Sequence, residues 1–188
     1  MRNDWKDRGA TLTSFVGAMW VVRIADAIVP GFHPAVHHGI EPRAIRGLDG
    51  IVFAPFIHAD FPHLLANTLP LLILGAIALL RGRRDFVFVA VASALIGGAG
   101  TWLFGAGDAA HVGASGIIFG LFGYLVFRTV FDRRWSSAIV TVVVILLYGS
   151  AMLASLIPEE AVSWSGHFFG FAGGVFAARV RHSRAGTR

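Results

Sequence analysis

Residues His111 to Phe131 read HVGASGIIFGLFGYLVFRTVF. From 112 to 131 the only charged side chain is Arg128. A helix needs about 20 mostly apolar residues to cross a bilayer, so this stretch reads as a membrane span. Gly113, Gly116, Gly120 and Gly123 recur at three- and four-residue spacing. That spacing places them on one helix face, and such small-residue faces let helix backbones approach closely in lipid. Ser115 stands among these glycines at the head of the run. It is either one more small residue at a helix contact or a nucleophile placed inside a membrane.

Working outward from this stretch, five more runs approach the length of a span: roughly 12–30, 63–80, 86–104, 137–157 and 165–182. The composition agrees with lipid as the solvent. Of 188 residues, 55% are hydrophobic and 14% charged, against about 25% charged in soluble domains; the mean hydropathy is +0.68. The expected fold is an all-α, polytopic six-helix bundle forming one membrane domain over residues 1–188. No cleavable signal peptide is expected, because the first apolar run lacks a small-residue cleavage site. With no cysteine in the chain, disulfides and thiolate chemistry are excluded.

A pI near 11 raises the question of nucleic acid, and the positions of the charges answer it. Arg2, Lys6 and Arg8 precede the first span; Arg81, Arg83 and Arg84 separate the second and third. Arg128, Arg133 and Arg134 end the fourth, and Arg179, Arg181, Arg184 and Arg188 close the chain. With six spans, these 13 of the 16 basic residues fall on one side. The other side has Arg43 and Arg46, with Glu41, Asp49, Asp60, Asp108, Glu159 and Glu160. The positive-inside rule then puts both termini in the cytoplasm. Topology accounts for the basic excess, and no nucleic-acid partner is expected. The partner implied by the composition is the lipid bilayer.

Residues 31–62 form the only long connection, predicted to be external. It is apolar for a loop: GLDGIVFAPFIHADFPH, residues 47–63, includes Ile51, Val52, Phe53, Phe56, Ile57 and Phe61. It is expected to rest in the interface or against the bundle. The other links are short, which implies antiparallel neighbours. Within the first span, Arg23 and Asp26 at i,i+3 are expected to pair on one face.

The topology also sets depth. Spans two, four and six all run inward from the outer face. His63 and Asn67, four apart at the start of span two, share a face one turn deep. Ser115 and His167 are each about one turn into spans four and six. Four polar side chains on three non-consecutive helices therefore occupy one layer just below the outer boundary. Gly166, Gly170 and Gly174 repeat every four residues on span six. If that face meets Gly116 and Gly120 on span four, Ser115 and His167 stand at the same end of one tight contact.

These residue types suit acyl transfer. A serine hydroxyl needs a neighbouring base to become nucleophilic, and a neutral imidazole titrates in the right range. The tetrahedral intermediate needs donors where negative charge develops. Asn67, His63 and the free amides of a helix's first turn are available for that. No spare carboxylate lies at this depth, so a Ser-His dyad fits better than a triad. Taken singly, however, intramembrane Asn, Ser or His most often joins helices by hydrogen bonds.

The segments HADFPHLLANTLPLLILG (58–75), GASGIIFGLFGYL (113–125) and GHFFGFAGG (166–174) resemble the rhomboid intramembrane serine proteases. The resemblance covers spans two, four and six, and the six-span plan extends it over nearly the whole chain. It implies that Ser115 is the nucleophile, His167 its base, and His63 and Asn67 the oxyanion donors. It implies cleavage of transmembrane segments of other membrane proteins near one membrane face, without a cofactor or metal. For a bacterial member the location would be the plasma membrane. Two positions depart from the pattern. The Trp-Arg pair frequent in the first external loop is replaced by Leu48-Asp49-Gly50. A tyrosine found one turn after the serine in some members is Phe119 here, which keeps an aromatic face for the base histidine but no hydroxyl.

Two other readings compete. One is a non-proteolytic relative that only binds transmembrane clients; its usual mark, loss of the serine or the histidine, is absent from the sequence. The other is a metal site built from His33, His37, His38, His58, His63, His111 and His167. Against it, the span interiors lack acidic ligands and no H-E-x-x-H motif occurs.

Overall fold

The computed structural model describes residues 2–107, 110–155, 157 and 163–185. Asp108, Glu159, Glu160 and Arg188, used above for topology, lie outside them, as does most of the link between the last two helices.

Among the described residues six long helices dominate: α1 (Arg2–Ile28), α4 (Phe61–Leu79), α5 (Arg83–Phe104), α6 (Ser115–Asp132), α7 (Trp135–Ala154) and α8 (Trp164–Ala185). Two short helices, α2 (Pro34–His38) and α3 (Gly50–Phe53), lie in the long connection with two 3₁₀ turns. The protein is a polytopic helical bundle. Among the described residues five helices are long and apolar enough to cross a membrane: α1, α4, α5, α6 and α7. The sixth expected span falls on the 22-residue helix α8, which carries Arg179 and Arg181 in its last turns and is not among these five.

Local chemistry explains where the helices start. Asp60 caps α4 by accepting a 2.6 Å hydrogen bond from the backbone N–H of His63, with Pro62 in the first turn, where a missing N–H costs nothing. The helix therefore begins at Phe61, two residues before the expected 63. Helix α6 starts at Ser115, later than the expected 112, because Gly113 has φ +113°, outside the range of a right-handed helix. Gly113 thus stands ahead of α6 and is not part of its glycine face, a correction to the sequence reading.

Helix α1 runs antiparallel along α4. Trp20 Nε1 donates to Thr68 Oγ1 (3.2 Å) and Arg8 Nη1 to the Leu79 carbonyl (3.0 Å), while Leu12 packs on Gly75. Arg23 and Asp26 pair as expected. Helix α7 lies against α6, where Thr141 Oγ1 donates to the Leu125 carbonyl at 3.1 Å. Leu146, Leu147 and Leu153 of α7 face outward, as lipid-facing residues do.

Helix α8 lies between α5 and α6 and touches both backbones. A Cβ on Gly170 would reach Gly116 Cα at 2.8 Å, one on Gly174 would reach Gly120 Cα at 2.8 Å, and one on Gly173 would reach Ser93 Cα at 2.8 Å. Pairing 116 with 170 and 120 with 174 makes α6 and α8 parallel, so α7 is the return stroke between them. The glycine faces of spans four and six do meet.

The long connection folds onto the C-terminal end of α5. Arg43 N donates to the Trp102 carbonyl (2.8 Å) and Trp102 Nε1 to the Ala44 carbonyl (2.8 Å). Ile40 and His111 form a small bridge. Ala54 and Ile57 are buried while Val52 and Phe53 are exposed. The loop thus packs on the bundle and also presents an apolar outer side.

The glycine contacts give a direct test. Gly170→Ala and Gly174→Ala should each lose about 1–3 kcal/mol, the cost of overpacking a fixed contact. Gly17→Ala on α1, where a Cβ meets nothing within 4 Å, should melt no lower than wild type. Thermal melting in detergent measures all three; equal melting temperatures would contradict the close α6–α8 contact.

Candidate active site

Ser115 is the first residue of α6, so its hydroxyl sits at the mouth of the α6–α8 contact. His167 is in the first turn of α8 and is buried. Ser115 Oγ and His167 Nε2 are 2.9 Å apart. On its other side, His167 Nδ1 is 2.8 Å from the backbone carbonyl of Ser155, just past the end of α7. A carbonyl can only accept, so Nδ1 carries the proton and donates. Neutral imidazole has one N–H, which leaves Nε2 as an acceptor for the Ser115 hydroxyl. The ring is also held flat: Phe119 stacks on it with centroids 4.2 Å apart and planes 7° apart. Phe119, one turn along α6 from Ser115, therefore contacts His167 without a hydroxyl.

His63 and Asn67 meet this pair through Gly113. The position a Gly113 Cβ would occupy is 2.8 Å from His63 Nε2 and 3.9 Å from Asn67 Nδ2. Two facts thus require glycine here: its positive φ and the closeness of the imidazole. Asn67 is buried and donates one Nδ2 hydrogen to the His63 carbonyl at 2.8 Å. An amide NH₂ has two hydrogens, so one remains for another acceptor. Gly113 N in turn donates to the Ala54 carbonyl at 2.9 Å, which anchors the turn to the long connection. Gly116 and Gly120 of α6 and Gly170 and Gly174 of α8 supply the close contact next to the pair, and Gly166 lies beside Gly116 at the Ser115 end of it.

Two features had no clear sequence signal. Ser155 contributes only a backbone carbonyl, which every residue possesses. His58, in the connection before α4, is fully buried, and both its ring nitrogens lack a hydrogen-bond partner among the described residues. Its ring lies edge-on to His63, centroids 5.1 Å apart. Burial, with help from neighbouring His63, pushes its pKa down to about 4. Among the described residues no group of three or more His, Cys, Asp or Glu is placed to hold a metal ion.

Beside Ser115 lies a cavity of about 40 Å³, lined by Ser93, Thr101, His111, Ser163 and Gly166 among others. A cavity with polar groups on its wall holds a water from about 10–15 Å³ upward, so this one, with the Ser93 and Thr101 hydroxyls among its lining, has room for water.

The sequence profile of the Rhomboid domain family matches residues 46–184. The chain belongs to the rhomboid family. An uncharacterised protein of Mycobacterium tuberculosis is 38% identical over 186 residues, covering 94% of this chain and 76% of the relative. One from Mycobacterium leprae is 36% identical over 184 residues, covering 93% and 71%. A Bacillus subtilis protein, provisionally named a rhomboid protease, is 35% identical over 119 residues, covering 63% and 59%. Membership of this family points to intramembrane protease activity. Together with the apolar helices, the family makes this rhomboid an integral membrane protein, and the relatives named are bacterial.

His58 has a measurable consequence. The native state keeps it neutral down to about pH 4, whereas an exposed histidine titrates near 6.5. Between those values the unfolded chain binds more protons, so stability falls as pH drops from about 6.5 to 4, by at most about 1.4 kcal/mol per pH unit. His58→Phe should flatten the melting temperature over that range. An unchanged slope would show that His58 does not titrate as its burial requires.

Proposed function

We propose that this rhomboid is an intramembrane serine endopeptidase that cleaves transmembrane segments of other membrane proteins by a Ser115–His167 dyad. The observation that carries the reading is the 2.9 Å contact of Ser115 Oγ with His167 Nε2, with Nδ1 committed to the Ser155 carbonyl. In this tautomer Nε2 takes the proton as Ser115 Oγ attacks the scissile carbonyl. Negative charge develops on the carbonyl oxygen. Asn67 Nδ2, an N–H of the His63 ring and the first-turn amides of α6 are the donors for it. The imidazolium then gives its proton to the leaving amine, and Ser115 holds the acyl group. Water in the neighbouring cavity attacks that ester, with Nε2 again the base. No cofactor is needed for these steps.

The arrangement of charge supports the topology. The ends carrying Arg81, Arg128 and Arg181 are at the bundle end opposite Ser115, and the positive-inside rule makes that end cytoplasmic. With α8 as a sixth span, both termini are cytoplasmic and cleavage occurs near the outer face. Residues 1–188 then act as one rhomboid domain, with transmembrane proteins as substrates.

Three variants test the chemistry. Ser115→Ala and His167→Ala should each abolish cleavage of a model transmembrane substrate in detergent, and the double variant should be no worse than either, since groups acting as one unit are non-additive. A serine-directed fluorophosphonate should label Ser115 only when His167 is present. Normal cleavage by folded Ser115→Ala would end the proposal.

Asn67→Ala separates donor from helix contact. As an oxyanion donor its loss should lower kcat about 10–100-fold, with KM little changed. As a helix contact alone, its loss should cost about 0.6 kcal/mol of stability and spare kcat. Melting temperature and kcat measured together decide between the two.

A further inference from the structure

The bundle end opposite Ser115 has a second recess. A groove of about 950 Å³ opens between α1, the α4–α5 turn, α5 and the end of α8. Its rim carries Arg81, Arg83, Arg84 and Arg181 against Asp7 and Asp85. Asp85 is already committed: it pairs with Arg181 and lies 3.5 Å from Arg128, which is outside the groove. Arg81 Nη2 is held by Ser137 Oγ at 2.6 Å. Arg83 and Arg84 are exposed and form no ion pair among the described residues. Arg181 Nε is buried without an acceptor among them. The mouth of the groove therefore has an excess of unmatched donors and positive charge.

Below the mouth the chemistry changes. Val87 and Val91 line the groove and are exposed. They follow Arg83 by four and eight residues, which puts all three on one face of α5. At about 1.5 Å per residue this wall descends about 12 Å from the arginines toward the hydrocarbon. A cationic mouth over an apolar wall has the two-part character of a phospholipid. Inorganic phosphate would use only the mouth. A soluble acidic peptide would gain nothing from a wall that faces acyl chains.

We propose that this groove is a binding site for an anionic glycerophospholipid of the adjoining leaflet. Its phosphate lies among Arg83, Arg84 and Arg181, and an acyl chain lies along Val87 and Val91. The site is separate from the proposed dyad and does not rest on proteolysis. A lipid held there bridges α5 to α8.

Native mass spectrometry of the purified protein tests this, with dioleoyl phosphatidylglycerol and dioleoyl phosphatidylcholine titrated at equal concentration. Wild type should retain phosphatidylglycerol preferentially. The double variant Arg83→Gln, Arg84→Gln removes two arginines that touch no ion partner, and should weaken that retention about 10- to 30-fold. Val91→Asn should weaken it several-fold while leaving the charge intact. If the double variant fails to fold, added salt on wild type supplies the charge test: it should release phosphatidylglycerol and spare phosphatidylcholine. Equal retention of both lipids, or retention unaffected by the arginine variant or by salt, overturns the proposal. So does displacement by millimolar glycerol phosphate, which would make the groove a simple anion site, or by a polyglutamate peptide, which would make it a peptide groove.

Discussion

The contact between the backbones of α8 and α6 is the constraint on which the rest depends. Lipid offers helices little hydrophobic reason to associate, so close packing must do it. Gly116 faces Gly170 and Gly120 faces Gly174 at distances where a Cβ would collide with backbone. This fixes both the separation and the register of two parallel helices. Ser115 is one residue before Gly116 and His167 three before Gly170, so the same register brings hydroxyl and imidazole together. A sliding of one turn, about 5.4 Å, would separate them.

The histidine is oriented without a carboxylate. A buried anion at this depth would be costly to desolvate. The Ser155 carbonyl accepts from Nδ1 and carries no formal charge. Phe119 stacks on the ring face and adds no polar group. A neutral acceptor and an apolar plane thus hold one tautomer and one ring plane at little electrostatic cost. His63 and Asn67 are placed differently: the turn at Gly113 brings them next to the head of α6.

The opposite end of the bundle is held by charge. Asp85 of α5 meets Arg128 of α6 and Arg181 of α8, and Tyr124 donates to the same carboxylate at 3.1 Å. Asp132 accepts from Arg128 and from Ser137 Oγ, at 3.0 and 2.7 Å. Four helix ends are joined in this way, α5 to α8, while at the end with Ser115 helices α6 and α8 meet through glycines and the Ser115–His167 hydrogen bond. The buried Asp85 carboxylate is thus matched by two arginines and a tyrosine hydroxyl.

The sequence by itself determined the helical, membrane-embedded class, because spans of about 20 apolar residues and their flanking arginines are written directly in composition. Periodicity determined which faces of α6 and α8 were small enough to touch, and span direction put Ser115, His167, His63 and Asn67 in one layer. Periodicity reports a helix's faces and a residue's depth; it does not report which neighbour a face turns toward. Only the tertiary structure decided that α8 lies between α5 and α6, that Gly113 leaves the helix to approach His63, and that the long connection both packs on α5 and keeps Val52 and Phe53 outside. It alone supplied the Ser155 carbonyl and the burial of His58. A backbone carbonyl has no signature in the sequence, and a partnerless buried histidine is recognised only when its surroundings are known.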